Sequence, residues 1–384
     1  MGINRLVYIK ADGNSHIATG HLVRTLAIAR ACRSLGLAVI FLVSDEESHE
    51  LLRSFFSDST KKEFPVICSQ IAYDHLEKEL PFFQTIFTQT HPAAILVDSY
   101  FVTAHYFREL RALTQVIYLD DLMAFDYSVD LLINYDVIPD ACLSRYQSAY
   151  QNAGKLLLGS SYTPLREQFQ HTMAAGSLTI FAGTGNTSAQ SVSSYTSANA
   201  SPGCQLHILL TTGGSDSYDV LGKLLPILLE RVKDTPSCPV IFHAVIGTLY
   251  THLQELQALA ATHPDILLHK NVSDMASLMS AMDLSISAAG TMLYELCAMG
   301  IPAISYTIAD NQIPAATAFD QVQAIPYIGD IRTTPDLCSH LADQLFVLLA
   351  DPAARKKQSA LMHSLVDGNG AKRIASEILT LCKS

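Results

Sequence analysis

Short, nearly continuous apolar runs alternate along the chain with longer stretches whose apolar residues recur at helical spacing. Leu6–Lys10, Ala38–Val43, Pro65–Ile67, Ala94–Asp98, Val116–Asp120 and Leu131–Asn134 read as strands. Between them the pattern predicts helices near Leu22–Gly36, Glu46–Phe56, Glu77–Thr90 and Ala104–Leu113, the first closed by glycine. Strands this apolar are buried on both faces. Helices between them supply the crossovers of a parallel, doubly wound sheet.

The alternation stops near residue 171 and restarts at 206. Residues 171–205 are rich in Ser, Thr, Gly, Ala and Asn with almost no charge, which is the composition of a flexible insertion or linker. Beyond it, strands are expected at Leu206–Thr211, Val240–Ile246, Ile266–His269, Leu284–Ser287 and Pro302–Tyr306. Helices are expected at Val220–Lys233, Leu249–Thr262, Met275–Met282 and Leu293–Met299, and over an amphipathic tail, Pro352–Leu381. The expected fold is α/β, with two Rossmann-like doubly wound domains facing across a cleft. Its divisions are an N-terminal domain over 1–170, the insertion over 171–205, a C-terminal domain over 206–365 and a final helix over 366–384.

At 384 residues with 49% hydrophobic content, the chain has material for two cores. A net charge of −11 argues against a nucleic-acid surface or an anionic-membrane binder. No uncharged apolar run reaches the length of a membrane span, and no signal-peptide pattern precedes the first strand. The eight cysteines form no CxxC pair, which suits reduced thiols in a cytoplasmic protein and disfavours a zinc site.

Four segments close predicted strands at the end where open α/β sheets bind ligands. The first runs from Lys10 through Asp12, Gly13 and Gly20 to His21 and Arg24. Gly13 and Gly20 lack the close triple spacing of a dinucleotide fingerprint. His21 is instead the candidate base, because a free imidazole titrates near ~6.5. Asp12, in the same loop, is the candidate to orient it. The second segment is Asp98-Ser99-Tyr100, where Tyr100 either covers the sheet end or reaches a substrate. The third, Thr211 to Asp216, carries Gly213 and Gly214, which allow close backbone approach to a ligand. The fourth runs from Ser287 through Ala289, Gly290, Thr291 and Met292 to Glu295, followed by Asn311 and Gln312. Its small-residue turn opens a helix, whose free N–H groups and dipole suit a diphosphate without a metal. Glu295 is placed to accept from a ribose diol, or else to serve as a buried ion-pair partner. Asn311 and Gln312 offer neutral partners to sugar hydroxyl or amide groups.

Other groups read more plainly. Adjacent Asp120 and Asp121 point apart on a strand end and suit capping better than metal binding. His243, in an apolar strand, reads as a core or surface residue. Leu51–Phe56 followed by Lys61-Lys62 reads as an ordinary amphipathic helix rather than an apolar-basic acceptor or membrane-surface patch.

These segments together resemble the UDP-2,4-diacetamido-2,4,6-trideoxy-β-L-altropyranose hydrolases of pseudaminic acid biosynthesis. The matching stretches are Lys10-Ala11-Asp12, Gly20-His21-Leu22-Val23-Arg24, Val97-Asp98-Ser99-Tyr100, Leu119-Asp120-Asp121-Leu122, Leu158 to Phe169, Gly213 to Asp216, Ser287 to Glu295 and Asp310-Asn311-Gln312. Lys10 stands where that family usually has Arg, and Ala18 where Gly is common. The resemblance implies a GT-B-like fold, also seen in spore-coat polysaccharide proteins and in the lipid-linked N-acetylglucosaminyl transferase of peptidoglycan synthesis. It implies inverting, metal-independent hydrolysis at the anomeric carbon of a UDP-sugar, with no cofactor. His21 would activate water, Tyr100 and Asn311 would lie near the sugar, and the second domain would hold UDP. A GT-B glycosyltransferase using a UDP-sugar donor is the alternative. The expected partner is the UDP-sugar itself, with no nucleic acid, no stable membrane insertion, and a monomer or weak dimer.

Overall fold

The computed structural model describes residues 5–14, 17, 19–56, 62–170, 205–214, 216–233, 239–247 and 250–383. The insertion expected over 171–205 lies outside the described residues except for Gln205. The chain divides into two compact units: Met1–Gln170 with His363–Ser384, and His171–Met362.

The first unit holds strands β1 (Leu6–Ala11), β2 (Ala38–Val43), β3 (Val66–Cys68), β4 (Ala94–Asp98), β5 (Gln115–Leu119), β6 (Leu131–Asn134) and β7 (Leu156–Leu158). They form one parallel sheet in the order β3-β2-β1-β4-β5-β6-β7. Its helices are α1 (Gly20–Ser34), α2 (Glu46–Ser54), α3 (Leu80–Thr90), α4 (Ala104–Arg111) and α5 (Leu143–Ala149). β4 is buried along its whole length, as a strand with helices on both faces must be. Helix starts follow local chemistry: Asp45 accepts from the Ser48 amide at 2.7 Å, and Thr103 accepts from the Tyr106 amide at 3.1 Å. The helix expected over Glu77–Thr90 is split into a 3-10 turn, Leu76–Glu79, and α3, because Pro81 fits only the first helical turn. Leu52 and Phe56 of the expected amphipathic helix are buried, while Lys61 lies outside the described residues.

The second unit repeats the plan with β8 (Leu206–Thr211), β9 (Val240–Ile246), β10 (Ile266–Lys270), β11 (Leu284–Ala288), β12 (Ala303–Thr307) and β13 (Tyr327–Asp330), in the order β10-β9-β8-β11-β12-β13. Helices α6 (Val220–Lys233), α7 (Leu253–Thr262), α8 (Met275–Met279), α9 (Thr291–Met299), α10 (Ile313–Gln321) and α11 (Leu337–Ala350) surround it. Leu224, Leu228, Leu341 and Leu345 of α6 and α11 pack into the same core as Ile208, Phe242 and Ile286 of the sheet.

The amphipathic tail is two helices, α12 (Pro352–Leu365) and α13 (Gly370–Leu381), with Gly368 at φ +77° between them. α13 packs on α1 in the first unit. α13 also packs on the 3-10 turn Ser160–Tyr162, where Gly370 permits the approach, since a Cβ there would lie 2.1 Å from the Thr163 carbonyl oxygen.

Candidate active site

In each sheet the chain winds outward from one central strand and then returns to the other side of it. The reversal falls between β1 and β4 in the first unit and between β8 and β11 in the second. Ligands of open α/β sheets bind at such switch points, outside the carboxyl ends of the strands.

At the first switch point, Ala11 at the end of β1 pairs with Asp98 at the end of β4. α1 opens directly after the β1 loop and carries His21 and Arg24, three residues apart and therefore on one helix face. His21 Nδ1 lies 2.6 Å from Asp98 Oδ1. Arg24 donates from Nε to Asp98 Oδ2 at 2.7 Å and from Nη2 to Asp98 Oδ1 at 2.6 Å. Its Nη1 donates to Tyr135 Oη at 2.6 Å and to Asp121 Oδ2 at 3.1 Å. Tyr100 Oη donates to the same Asp121 oxygen at 3.3 Å, and its ring stands edge-on to His21 with centroids 4.6 Å apart.

This geometry fixes the tautomer of the imidazole. An ionised carboxylate only accepts, so a neutral His21 carries its proton on Nδ1 and keeps its lone pair on Nε2. Nε2 has no hydrogen-bond partner among the described residues. Arg24 has no acceptor to offer, so the 3.0 Å between its Nη2 and His21 Nδ1 is proximity, and the hydrogen goes to Asp98. Burial alone would raise the Asp98 carboxyl, but Arg24 and His21 outweigh it and bring it down to about 2. Asp98 is therefore a carboxylate at neutral pH.

Asp12 does not orient His21, contrary to the sequence expectation. Its Oδ2 meets Lys10 Nζ at 2.6 Å and its Oδ1 accepts from the Ser44 amide at 2.6 Å. The buried Lys10 ammonium, 3.2 Å from Glu79 as well, engages Asp12, and it is Asp98 that contacts the imidazole. Strand order carried the missing signal: β4 returns beside β1, which sets its terminal aspartate against the first loop. The two adjacent aspartates after β5 diverge. Asp120 accepts from the Leu122 and Met123 amides and from Tyr127 and Tyr150, whereas Asp121 turns to Arg24 and Tyr100. Gly20, in the first turn of α1, is exposed, with open space where a Cβ would lie.

At the second switch point, Gly213 and Gly214 follow β8, and Gly213 has φ +81°. Gly247, after β9, presses against them; a Cβ there would come within 2.2 Å of the Gly214 carbonyl oxygen. Ala289 is buried after β11, Gly290 is the N-cap of α9, and Thr291 and Met292 form its first turn with no acidic residue. That helix end presents free N–H groups and the positive end of its dipole. Glu295 is buried one turn on. After β12, Gln312 accepts the Ile308 amide at 2.9 Å through Oε1, while Asn311 is exposed. Gly213, Gly214, Gly290 and Thr291 thus share one sheet edge, with Asn311 and Gln312 one strand further along it.

A row of histidines crosses the same sheet. His207 Nδ1 lies 2.8 Å from His243 Nε2, and His243 Nδ1 lies 2.9 Å from His269 Nε2. Each contact holds one shared proton if all three rings are neutral. Burial, then His269 and His207, lowers the middle residue, His243, to about 4. Sequence position showed His243 inside a strand but not its alignment with two others.

No protein-family model matches the chain. It is similar to the spore coat polysaccharide biosynthesis protein SpsG of Bacillus subtilis, with 26% identity over 170 residues, 44% of this chain and 49% of that protein. It is similar at 27% identity over 188 residues to the UDP-N-acetylglucosamine–N-acetylmuramyl-(pentapeptide) pyrophosphoryl-undecaprenol N-acetylglucosamine transferase of Sorangium cellulosum, covering 46% of this chain and 44% of that one. The chain spans about half the length of the curated relatives it matches. Among solved structures, MurG of Acinetobacter baumannii superposes with a TM-score of 0.65 at 16% identity, over 98% of this chain and 99% of that one. The UDP-GlcNAc 2-epimerase of Neisseria meningitidis, bound to UDP-GlcNAc, gives 0.58 at 10% identity, over 98% and 99%. The fold is therefore GT-B, with two parallel-sheet Rossmann-like units. No helix among the described residues is long and apolar enough to cross a membrane.

Proposed function

We propose that the protein is a UDP-sugar enzyme of the glycosyltransferase type, with His21 as its base. The observation that carries this reading is the 2.6 Å contact from Asp98 to His21 Nδ1, which leaves Nε2 to accept a proton. Nε2 takes the proton of an acceptor hydroxyl as that oxygen bonds to the anomeric carbon. The bond from that carbon to the UDP oxygen breaks, the electron pair leaves with UDP, and the configuration inverts. Gly213, Gly214 and the N-terminus of α9 meet the diphosphate charge with backbone N–H groups. The relatives named for spore-coat polysaccharide biosynthesis and for N-acetylglucosamine transfer support this reading.

The second reading puts water in place of the acceptor, releasing free sugar for pseudaminic-type acid synthesis. It is favoured by the edge-on contact between His21 and Tyr100, since the resemblance to the hydrolases has the first activate water and the second lie near the sugar. One experiment separates the two. UDP release is measured from a panel of UDP-linked N-acetylated sugars, with and without carbohydrate acceptors. Release that needs an acceptor supports transfer, and release without one supports hydrolysis. Release by His21→Ala at the wild-type rate sinks the assignment of the base, and no release under any condition sinks both readings.

A further inference from the structure

At the carboxyl edge of the first sheet, Asp98 and Asp120 are wholly engaged by protein groups on both oxygens. Asp121 differs. Its side chain is 23% exposed, and both of its protein contacts fall on Oδ2: Arg24 Nη1 at 3.1 Å and Tyr100 Oη at 3.3 Å. Oδ1 has no hydrogen-bond partner among the described residues. The guanidinium that holds Asp121 also grips both oxygens of Asp98, which in turn holds His21. One rigid fork thus sets the free oxygen of Asp121 and the free nitrogen of His21 in fixed relation.

We propose that Asp121 is a specificity-determining residue of the His21 site, accepting a hydrogen bond at Oδ1 from a hydroxyl or amide N–H of the sugar. This rests on the reading of the protein as a UDP-sugar enzyme. The ligand class follows from charge. A carboxylate only accepts, and Asp136 lies close enough that burial and Asp121 together raise its carboxyl to about 6. Arg24 is already committed to Asp98, Asp121 and Tyr135. This corner repels phosphate and favours a hydrogen-bond donor, and within a UDP-sugar the diphosphate has none to give, so it reads the sugar.

The test compares wild type, Asp121→Ala and Asp121→Asn in the full chain, using the UDP-sugar that wild type turns over best, with free UDP as a binding probe. Asp121→Ala is expected to raise KM about tenfold or more, the usual loss for a hydrogen bond to a charged group, with the Kd for UDP held within about twofold. Asp121→Asn keeps one acceptor oxygen and falls between. The role is overturned if Asp121→Ala keeps KM within about twofold of wild type, or if UDP affinity weakens in step with KM. Where wild type is active and Asp121→Ala matches it, this role alone fails. Where wild type turns over no UDP-sugar, the reading beneath it fails too.

Discussion

Arg24 and Asp98 form a two-pronged ion pair, Nε to Oδ2 at 2.7 Å and Nη2 to Oδ1 at 2.6 Å, with side chains 10% and 0% exposed. Such a pair does more to fix geometry than to add net stability, because desolvation offsets most of the attraction. Breaking it is another matter, since the surviving charge stays buried. The same carboxylate also sets the tautomer of His21, 2.6 Å from its Nδ1.

Asp98→Asn should therefore damage both. Leaving Arg24 buried beside a neutral amide costs about 3 kcal/mol or more, read from urea unfolding. His21→Ala leaves the ion pair intact and should unfold close to wild type while losing about a hundredfold or more in UDP release. Equal stability of Asp98→Asn and wild type would refute the account of the pair. The acid limb follows from the same group. Its pKa falls from 3.8 unfolded to about 2 folded, so its contribution is present above pH 3.8 and is lost as pH falls toward 2.

Much of this fold is legible in hydrophobic pattern because parallel strands buried on both faces are continuous apolar runs. β2 is such a run, and so is β4 up to its closing Asp98, while β1 and β8 are interrupted only by Lys10 and by His207 and Thr211. β7 is three residues long, and β13 contains Gly329 at φ +148°, so neither carries enough side-chain pattern to stand out. α11 does carry it, with Leu337, Leu341, Leu345 and Leu348 all buried on one face, yet the expected helices pass over it. The candidate site was legible as loops at strand ends, and the structure does bring His21 and Tyr100 together. It was not legible as partners. Proximity in sequence favoured Asp12 for His21, but sheet order decides which strand end lies beside which, and that brings in Asp98 from 77 positions away.

The histidine row predicts a pH-dependent weakening of the second unit. His243 is lowered from 6.5 to about 4, so it stays neutral in the folded chain where the unfolded chain already binds a proton. Stability is full above pH 6.5 and falls as pH drops toward 4. Urea midpoints of wild type and His243→Leu across that window should diverge, the variant losing less on acidification. Parallel curves would refute the assignment.

Gly370→Ala tests the docking of the last helix. Alanine at a helical position normally gains about 1 kcal/mol over glycine. Here its Cβ would lie 2.1 Å from the Thr163 carbonyl oxygen, and backbone cannot swing aside as a flexible side chain can. Overpacking costs about 1–3 kcal/mol and should win, lowering the thermal midpoint. A raised midpoint would show that α13 does not dock through this contact.

Gly290→Ala separates a requirement of folding from one of ligand approach. Gly290 has φ −141°, an extended conformation open to any residue, and a Cβ there meets nothing within 4 Å. The free protein therefore tolerates alanine, and its thermal midpoint should hold. If the diphosphate of UDP lies against this helix start, the added methyl takes up space where phosphate oxygens approach the backbone N–H groups. UDP affinity should then fall by about tenfold or more, measured by calorimetry. Thr291→Ala keeps the same backbone donors and should bind UDP more tightly than Gly290→Ala. Wild-type UDP affinity in Gly290→Ala, with the fold intact, would move the phosphate site away from α9.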